Sequence, residues 1–158
     1  MELKNIIESY FEEKIRLTEN VDLSSIIESY NLIKKTIDSG NQIFCCGNGG
    51  SALTASHFVT DWTKCAMQNK DYQFKAICLN DNIGVLTAYS NDISYDEIFS
   101  QQLKTYFSKK DLLIVISGSG SSKNLINAVN KANEIGMNTL GILGFDGGEL
   151  KNLCKLNV

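Results

Sequence analysis

Apolar residues recur every three or four positions through Leu3, Ile6, Ile7, Tyr10, Phe11 and Ile15, and again through Leu23, Ile26, Ile27, Tyr30, Ile33 and Ile37. That spacing lines one face of a helix. The chain therefore opens with two amphipathic helices, joined near Asn20–Asp22 and ended at Ser39-Gly40. After them the pattern changes to short apolar runs alternating with helix-period stretches: strand 42–46, helix 51–67, strand 74–79, helical 82–89 and 94–107, strand 112–117, helix 122–135, strand 138–143. Strands without a polar face must be covered on both sides. Alternated with helices, they predict an α/β fold: a three-layer αβα sandwich around a parallel, flavodoxin-like or Rossmann-like sheet, preceded by the two helices. The last eight residues, KNLCKLNV, read as a further strand barely begun. Folds of this kind continue with a strand and a helix, so the native protein is expected to run on past Val158.

Composition changes that picture little. A chain of 158 residues, 43% hydrophobic and 21% charged, fits one soluble domain with a real core, spanning 1–158 without a linker. The net charge of −3 argues against non-specific nucleic-acid binding, which feeds on basic surface. No apolar run reaches membrane-spanning length, and MELKNIIESY is a charged amphipathic start rather than a signal peptide, so no membrane association and a cytoplasmic location are expected. The five cysteines (Cys45, Cys46, Cys65, Cys78, Cys154) are odd in number and lack a CxxC spacing, which suits reduced, mostly buried thiols.

The chemistry concentrates in two loops. Gly47-Asn48-Gly49-Gly50-Ser51 stands between an apolar run and a helix start, where free backbone N–H groups and the positive end of a helix dipole converge on one point. A phosphate fits there. The stretch also satisfies G-x-G-x-x-A, but a dinucleotide site needs an acidic residue about 20 positions on, at the end of the next strand. Asp71 precedes that strand and Asp81 comes late, so no nucleotide cofactor is expected. A tight turn with no ligand explains this loop equally well. Ser117-Gly118-Ser119-Gly120-Ser121-Ser122 is more specific, because the hydroxyls of Ser117, Ser119 and Ser122, with the N–H groups of the following helix, suit the terminal oxygens of a phosphate. Its plainer alternative is a helix cap at Ser121 or Ser122.

Further residues are less decided by pattern. His57, the one histidine, and Asp61 lie four apart on one helix face near Lys64, opposite Ala55, Phe58, Val59, Trp62 and Ala66. A solvated face accounts for them as well as a site does. Asn91-Asp92 falls between two helical stretches, where a turn with an Asx cap and a pair that hydrogen-bonds sugar hydroxyls are both open readings, and Phe145-Asp146-Gly147-Gly148 is another loop at a strand's carboxyl end, with a plain turn as its alternative.

Taken in order, CGNGGSALTASHF, SNDISYDEIFSQQL, ISGSGSSKNLINAV and GFDGGEL resemble the sugar isomerase (SIS) domain family, and within it the phosphoheptose isomerases. Those enzymes interconvert sedoheptulose 7-phosphate and an aldoheptose 7-phosphate through an enediol. The resemblance covers nearly the whole chain. It implies a sugar-phosphate ligand bound by Asn48, Gly49, Gly50, Ser51, Asn91, Asp92, Ser117, Gly118, Ser119 and Ser122. It also implies catalysis by Asp61 and His57, with zinc on His57 and Asp61, and a homotetramer joined through the N-terminal helices. Departures accompany the matches. Asp61 stands for the family's glutamate, Gly118 for a threonine and Cys65 for a common arginine, and the C-terminal helix carrying a glutamine and a second histidine has no counterpart here. The resemblance thus implies phosphosugar binding with a weakened isomerase set. Its alternative is a non-catalytic scaffold like the replication-initiator-associating relatives.

Overall fold

The computed structural model describes residues 2–64 and 74–158. Two helices, α1 (Leu3–Glu19) and α2 (Leu23–Asp38), precede β1 (Ile43–Gly47), α3 (Gly50–Lys64), β2 (Ala76–Cys78) and α4 (Ile83–Asp92). A short 3-10 turn (Tyr95–Glu97), α5 (Ser100–Tyr106), β3 (Leu112–Ser117), α6 (Lys123–Glu134), β4 (Asn138–Leu143), α7 (Leu150–Leu153) and β5 (Leu156–Asn157) complete the order. The five strands form one parallel sheet in the order β2-β1-β3-β4-β5. This is the expected three-layer, flavodoxin-like arrangement.

Side-chain alternation explains the layers. Phe44, Cys46, Leu113 and Val115 point to one face, where Ile98, Phe99, Leu103, Leu125 and Val129 from the α5–α6 side enclose them. Their sequence neighbours Ile43, Cys45, Leu112, Ile114 and Ile116 point to the other, beneath Leu32, Ile33 and Ile37 of α2 and Ala55, Phe58, Val59 and Trp62 of α3. Burial on both faces is what made these strands read as uniformly apolar. Because β2 lies on one side of β1 and β3 on the other, the connections leaving β1 and β3 part to opposite faces. The crevice this opens at the carboxyl ends of β1 and β3 is where ligands sit in such sheets.

Several boundaries differ from the expectation. The stretch 82–89 continues as helix to Asp92, its start secured by Asn82, whose side chain accepts from Val85 N at 3.1 Å. Asn91-Asp92 is therefore helical rather than a turn. The stretch 94–107 divides, because Ile98 and Phe99, 2% and 0% exposed, turn into the core between the 3-10 turn and α5. The edge strand is shorter than 74–79, although Leu79 N still donates to Cys45 O at 2.9 Å. The expected continuation of α3 to residue 67 lies outside the described residues, as do Cys65, Ala66 and Asp71. At the other end, β5 confirms the barely begun strand: Leu156 pairs with Leu140 and Asn157 with Gly141.

The two leading helices form as the periodicity requires, with Asp22 capping α2 by accepting from Ser24 N at 2.9 Å. Hydrogen bonds from Ser24 and Ser25 hold the Asp22 carboxyl down at about 2. Yet α1 buries none of its residues, and Ile6, Phe11 and Ile27 remain 50%, 56% and 59% exposed. Among the described residues no helix is long and apolar enough to cross a membrane.

Cys45, Cys46, Cys78 and Cys154 are buried free thiols, as expected of four of the five cysteines. Burial pushes Cys78 and Cys154 up to about 11, and drives Cys45 and Cys46 higher still. The folded state therefore holds protons that the unfolded chain releases from about pH 8.5 upward. Stability to urea should be insensitive to these thiols below that pH and decline as pH rises from about 8.5 to about 11. Replacing Cys46 by Ala should flatten the decline, measured by urea midpoints across the range.

Candidate functional site

At the carboxyl end of β1 the chain turns at once into α3. Gly47 allows this only without a side chain, since a Cβ there would lie 2.6 Å from the carbonyl carbon and oxygen of Ser51. Gly49 takes φ +54°, the left-handed region that favours glycine. Ser51 N donates to Asn48 O at 3.0 Å and Ala52 N to Gly49 O at 3.1 Å. Leu53 N donates to Gly49 O as well, at 3.4 Å, so the N–H groups of Ser51, Ala52 and Leu53 are taken up by carbonyls of the turn itself. Asn80, past the end of β2, pins the turn from the side: its Oδ1 accepts from Gly47 N at 3.1 Å and its Nδ2 donates to Gly47 O at 3.0 Å.

The serine loop leaves β3 beside it, Gly47 and Ile116 being partners in the sheet. Ser117, 5% exposed, accepts on Oγ from Gly120 N at 3.0 Å, which leaves its hydroxyl hydrogen to be donated. Ser119 Oγ accepts from Ser121 N at 3.3 Å. Ser122 occupies the N-cap of α6 but makes no side-chain cap bond, in contrast to Asp22 on α2 and Asn82 on α4. The cap alternative therefore describes its position and not its bonding. An uncapped helix start beside three serines is an open anion cradle. Gly118 is exposed and a Cβ on it would meet no atom within 4 Å, so the threonine usual in the family would fit there.

A third loop backs this cradle. Gly144 N donates to Ser117 O and Leu150 N to Gly120 O, both at 2.9 Å. A Cβ on Gly120 would lie 1.9 Å from Gly147 O, and one on Gly148 would lie 2.4 Å from Ser119 O. Residues 145–148 form the loop at the carboxyl end of β4, and their contact with residues 118–120 follows from the adjacency of β3 and β4.

His57 and Asp61 do share one face of α3, with Nε2 and Oδ2 3.3 Å apart, and their side chains are 74% and 56% exposed. Ala55, Phe58, Val59 and Trp62 face the core, as the helical period required. Two donors do not make a zinc shell, which takes three or four protein ligands. Among the described residues no group of three or more His, Cys, Asp and Glu side chains gathers. The described residues thus gather two donors, His57 and Asp61, of the zinc site that the resemblance implied, and not a full shell.

Asn91 and Asp92 end α4 as exposed residues, Asn91 Nδ2 donating to Asp92 Oδ1 at 2.8 Å. Three polar residues near the loops carried no signal in the sequence. Asn124 and Asn127 sit on α6, and Tyr95 opens the 3-10 turn. Tyr95 donates to Asn48 Oδ1 at 3.0 Å, and Asn127 Nδ2 donates to Asp96 O at 3.1 Å and to Glu97 Oε1 at 2.9 Å. Asparagines on a helix flank read as solvated until the partner segment is known.

A family model described as SIS domain matches residues 9–144. The phosphoheptose isomerase of Aliarcobacter butzleri is 42% identical over 124 residues, covering 78% of this chain and 65% of that protein. The probable phosphoheptose isomerase of Thermoplasma acidophilum is 39% identical over 151 residues, covering 94% and 82%. The solved phosphoheptose isomerase of Francisella tularensis superposes with a TM-score of 0.90 at 28% identity, over 99% of this chain and 85% of that one. That of Neisseria gonorrhoeae gives 0.88 at 31% identity, over 99% and 84%.

The contact between Gly120 and Gly147 should tolerate no side chain. Gly120→Ala, which adds a left-handed backbone penalty (φ +63°) to a collision, should lower unfolding free energy by at least about 2 kcal/mol in a urea titration. Gly118→Ala, with open space around it, should stay within about 0.5 kcal/mol.

Proposed function

The chain belongs to the SIS domain family, and from that footing we propose that it is a phosphosugar aldose–ketose isomerase of the phosphoheptose type. The observation that carries this reading is the uncommitted Ser122 cap at the start of α6, beside Ser117 and Ser119 at the switch point of the sheet. The phosphate of the substrate is held there by hydroxyls and helix N–H groups, and the sugar extends toward the Asn48–Ser51 loop and α3. The relatives compared above carry isomerase names, which favours this reading over a non-catalytic scaffold.

Isomerisation moves a proton between adjacent carbons. A base takes it from the carbon next to the carbonyl, an enediol forms, and the proton returns to the neighbouring carbon while the hydroxyl proton shifts the other way. Asp61 is the base in this proposal, and His57, 3.3 Å from it, handles the hydroxyl proton. Aspartate reaches one methylene less than glutamate, and a misplacement of about 1 Å costs about a hundredfold in rate. Binding is therefore stronger than turnover, since holding the substrate accelerates nothing unless groups act in the transition state.

The apolar stripes of α1 and α2 complete the proposal. Leu3, Ile7, Phe11, Ile15, Ile27 and Tyr30 are each between 48% and 72% exposed, and a contiguous apolar surface of this kind marks an interface. A homo-oligomer, a tetramer by resemblance to the family, covers them.

Three results are expected. Followed by NMR on sedoheptulose 7-phosphate, Asp61→Glu should raise kcat at least about tenfold over the unmodified chain and Asp61→Asn should abolish it. A double Ser117→Ala, Ser119→Ala variant should lose about tenfold or more in calorimetric affinity for the sugar phosphate while keeping its fold. In light scattering, the unmodified chain should be oligomeric at micromolar concentration and Phe11→Glu with Ile27→Glu should dissociate it.

A further inference from the structure

Asn48 and Asn124 are 76 positions apart and form a reciprocal amide pair. Asn48 Nδ2 donates to Asn124 Oδ1 at 2.9 Å, and Asn124 Nδ2 donates back to Asn48 Oδ1 at 2.9 Å. Tyr95 OH adds a third bond to Asn48 Oδ1, at 3.0 Å. The Asn48 carbonyl thus takes two donors, and one hydrogen of its amide remains without a partner among the described residues. Asn124 is only 2% exposed and cannot touch a ligand with its side chain while so engaged.

We infer that Asn124, with Tyr95, is a positioning residue that locks the Asn48 loop to the start of α6 and so sets the distance between the sugar end and the phosphate end of the site. Two features beyond the amide pair support this. One turn further along α6, Asn127 holds the 3-10 turn through the Asp96 carbonyl and the Glu97 carboxylate, which Ser100 and Gln101 also engage. The same helix therefore anchors the phosphate, the first loop and the segment that follows Asn91-Asp92. Asn124 also follows the uncapped Ser122 by two residues, so an anion at the helix start and the amide pair share one rigid turn.

This inference rests on the phosphosugar reading, and the test separates the two. Asn124→Ala should raise the calorimetric Kd for sedoheptulose 7-phosphate about tenfold and leave that for inorganic phosphate within about twofold, because the serine loop and helix N–H groups remain. Amide hydrogen exchange at residues 47–51 should quicken in the same variant without ligand. The double variant Asn48→Ala, Asn124→Ala should bind no worse than Asn48→Ala alone, since each breaks the same pair. Tyr95→Phe, which removes one surface hydroxyl, should cost about threefold and serves if Asn124→Ala does not fold. Equal loss of both ligands, multiplied effects in the double variant, or unchanged affinity would overturn the inference. Should the unmodified chain bind no sugar phosphate, the functional reading falls, and unchanged exchange at 47–51 would then overturn the lock as well.

Discussion

The site depends on backbone meeting backbone. Gly120 and Gly147 approach so closely that no Cβ fits between them, and Gly148 stands as near to Ser119. This contact sets the peptide groups of residues 118–120 against the loop behind them. A side chain at Gly120 or Gly148 would push the serine loop and the loop behind it apart. Since hydrogen bonds weaken steeply with distance and angle, the cradle exists only while the loops touch.

That contact is available because β3 and β4 are neighbours, and β3 neighbours β1. The buried sheet fixes where each strand ends, and each end delivers a loop. Core packing thus acts on function through register: a slip of one residue would reverse the faces of Phe44 and Cys45 and withdraw the loops together. The polar lock of Asn48 with Asn124 adds what the sheet alone cannot supply, a fixed spacing between two loops rooted on adjacent strands.

Binding and proton transfer have different physical footings here. The loop proposed to hold the phosphate is tied down by several hydrogen bonds of its own hydroxyls and backbone. His57 and Asp61 stand on an outer helix face, mostly exposed and 3.3 Å from each other. A site of this composition recognises a phosphate more securely than it positions a base, which is the ordering of affinity over turnover proposed above. The exposed stripes on α1 and the first half of α2 are a separate matter, since α2 meets the core through Leu32, Ile33 and Ile37 further along.

Much was legible from local pattern. Periods of 3.6 and 2 are properties of short segments, so the leading helices, the four longer apolar runs and the core face of α3 could be read from residue order. The two glycine loops and the serine hydroxyls were visible for the same reason, as was the match to the SIS family across residues 9–144. What stayed hidden were relations between distant segments. Asn124 looks like any helix asparagine until α6 is laid against residue 48, and Gly147 looks like a turn until β4 is placed beside β3. The helical state of Asn91-Asp92 and the division at Ile98-Phe99 were likewise decided by a cap and by burial. Sequence determined which segments are helix or strand and which glycine and serine loops stand at the ends of the strands, because those depend on neighbours along the chain. Only tertiary structure decided which polar groups hold those loops in place, because hydrogen bonds across 76 positions exist only once packing has brought their ends together.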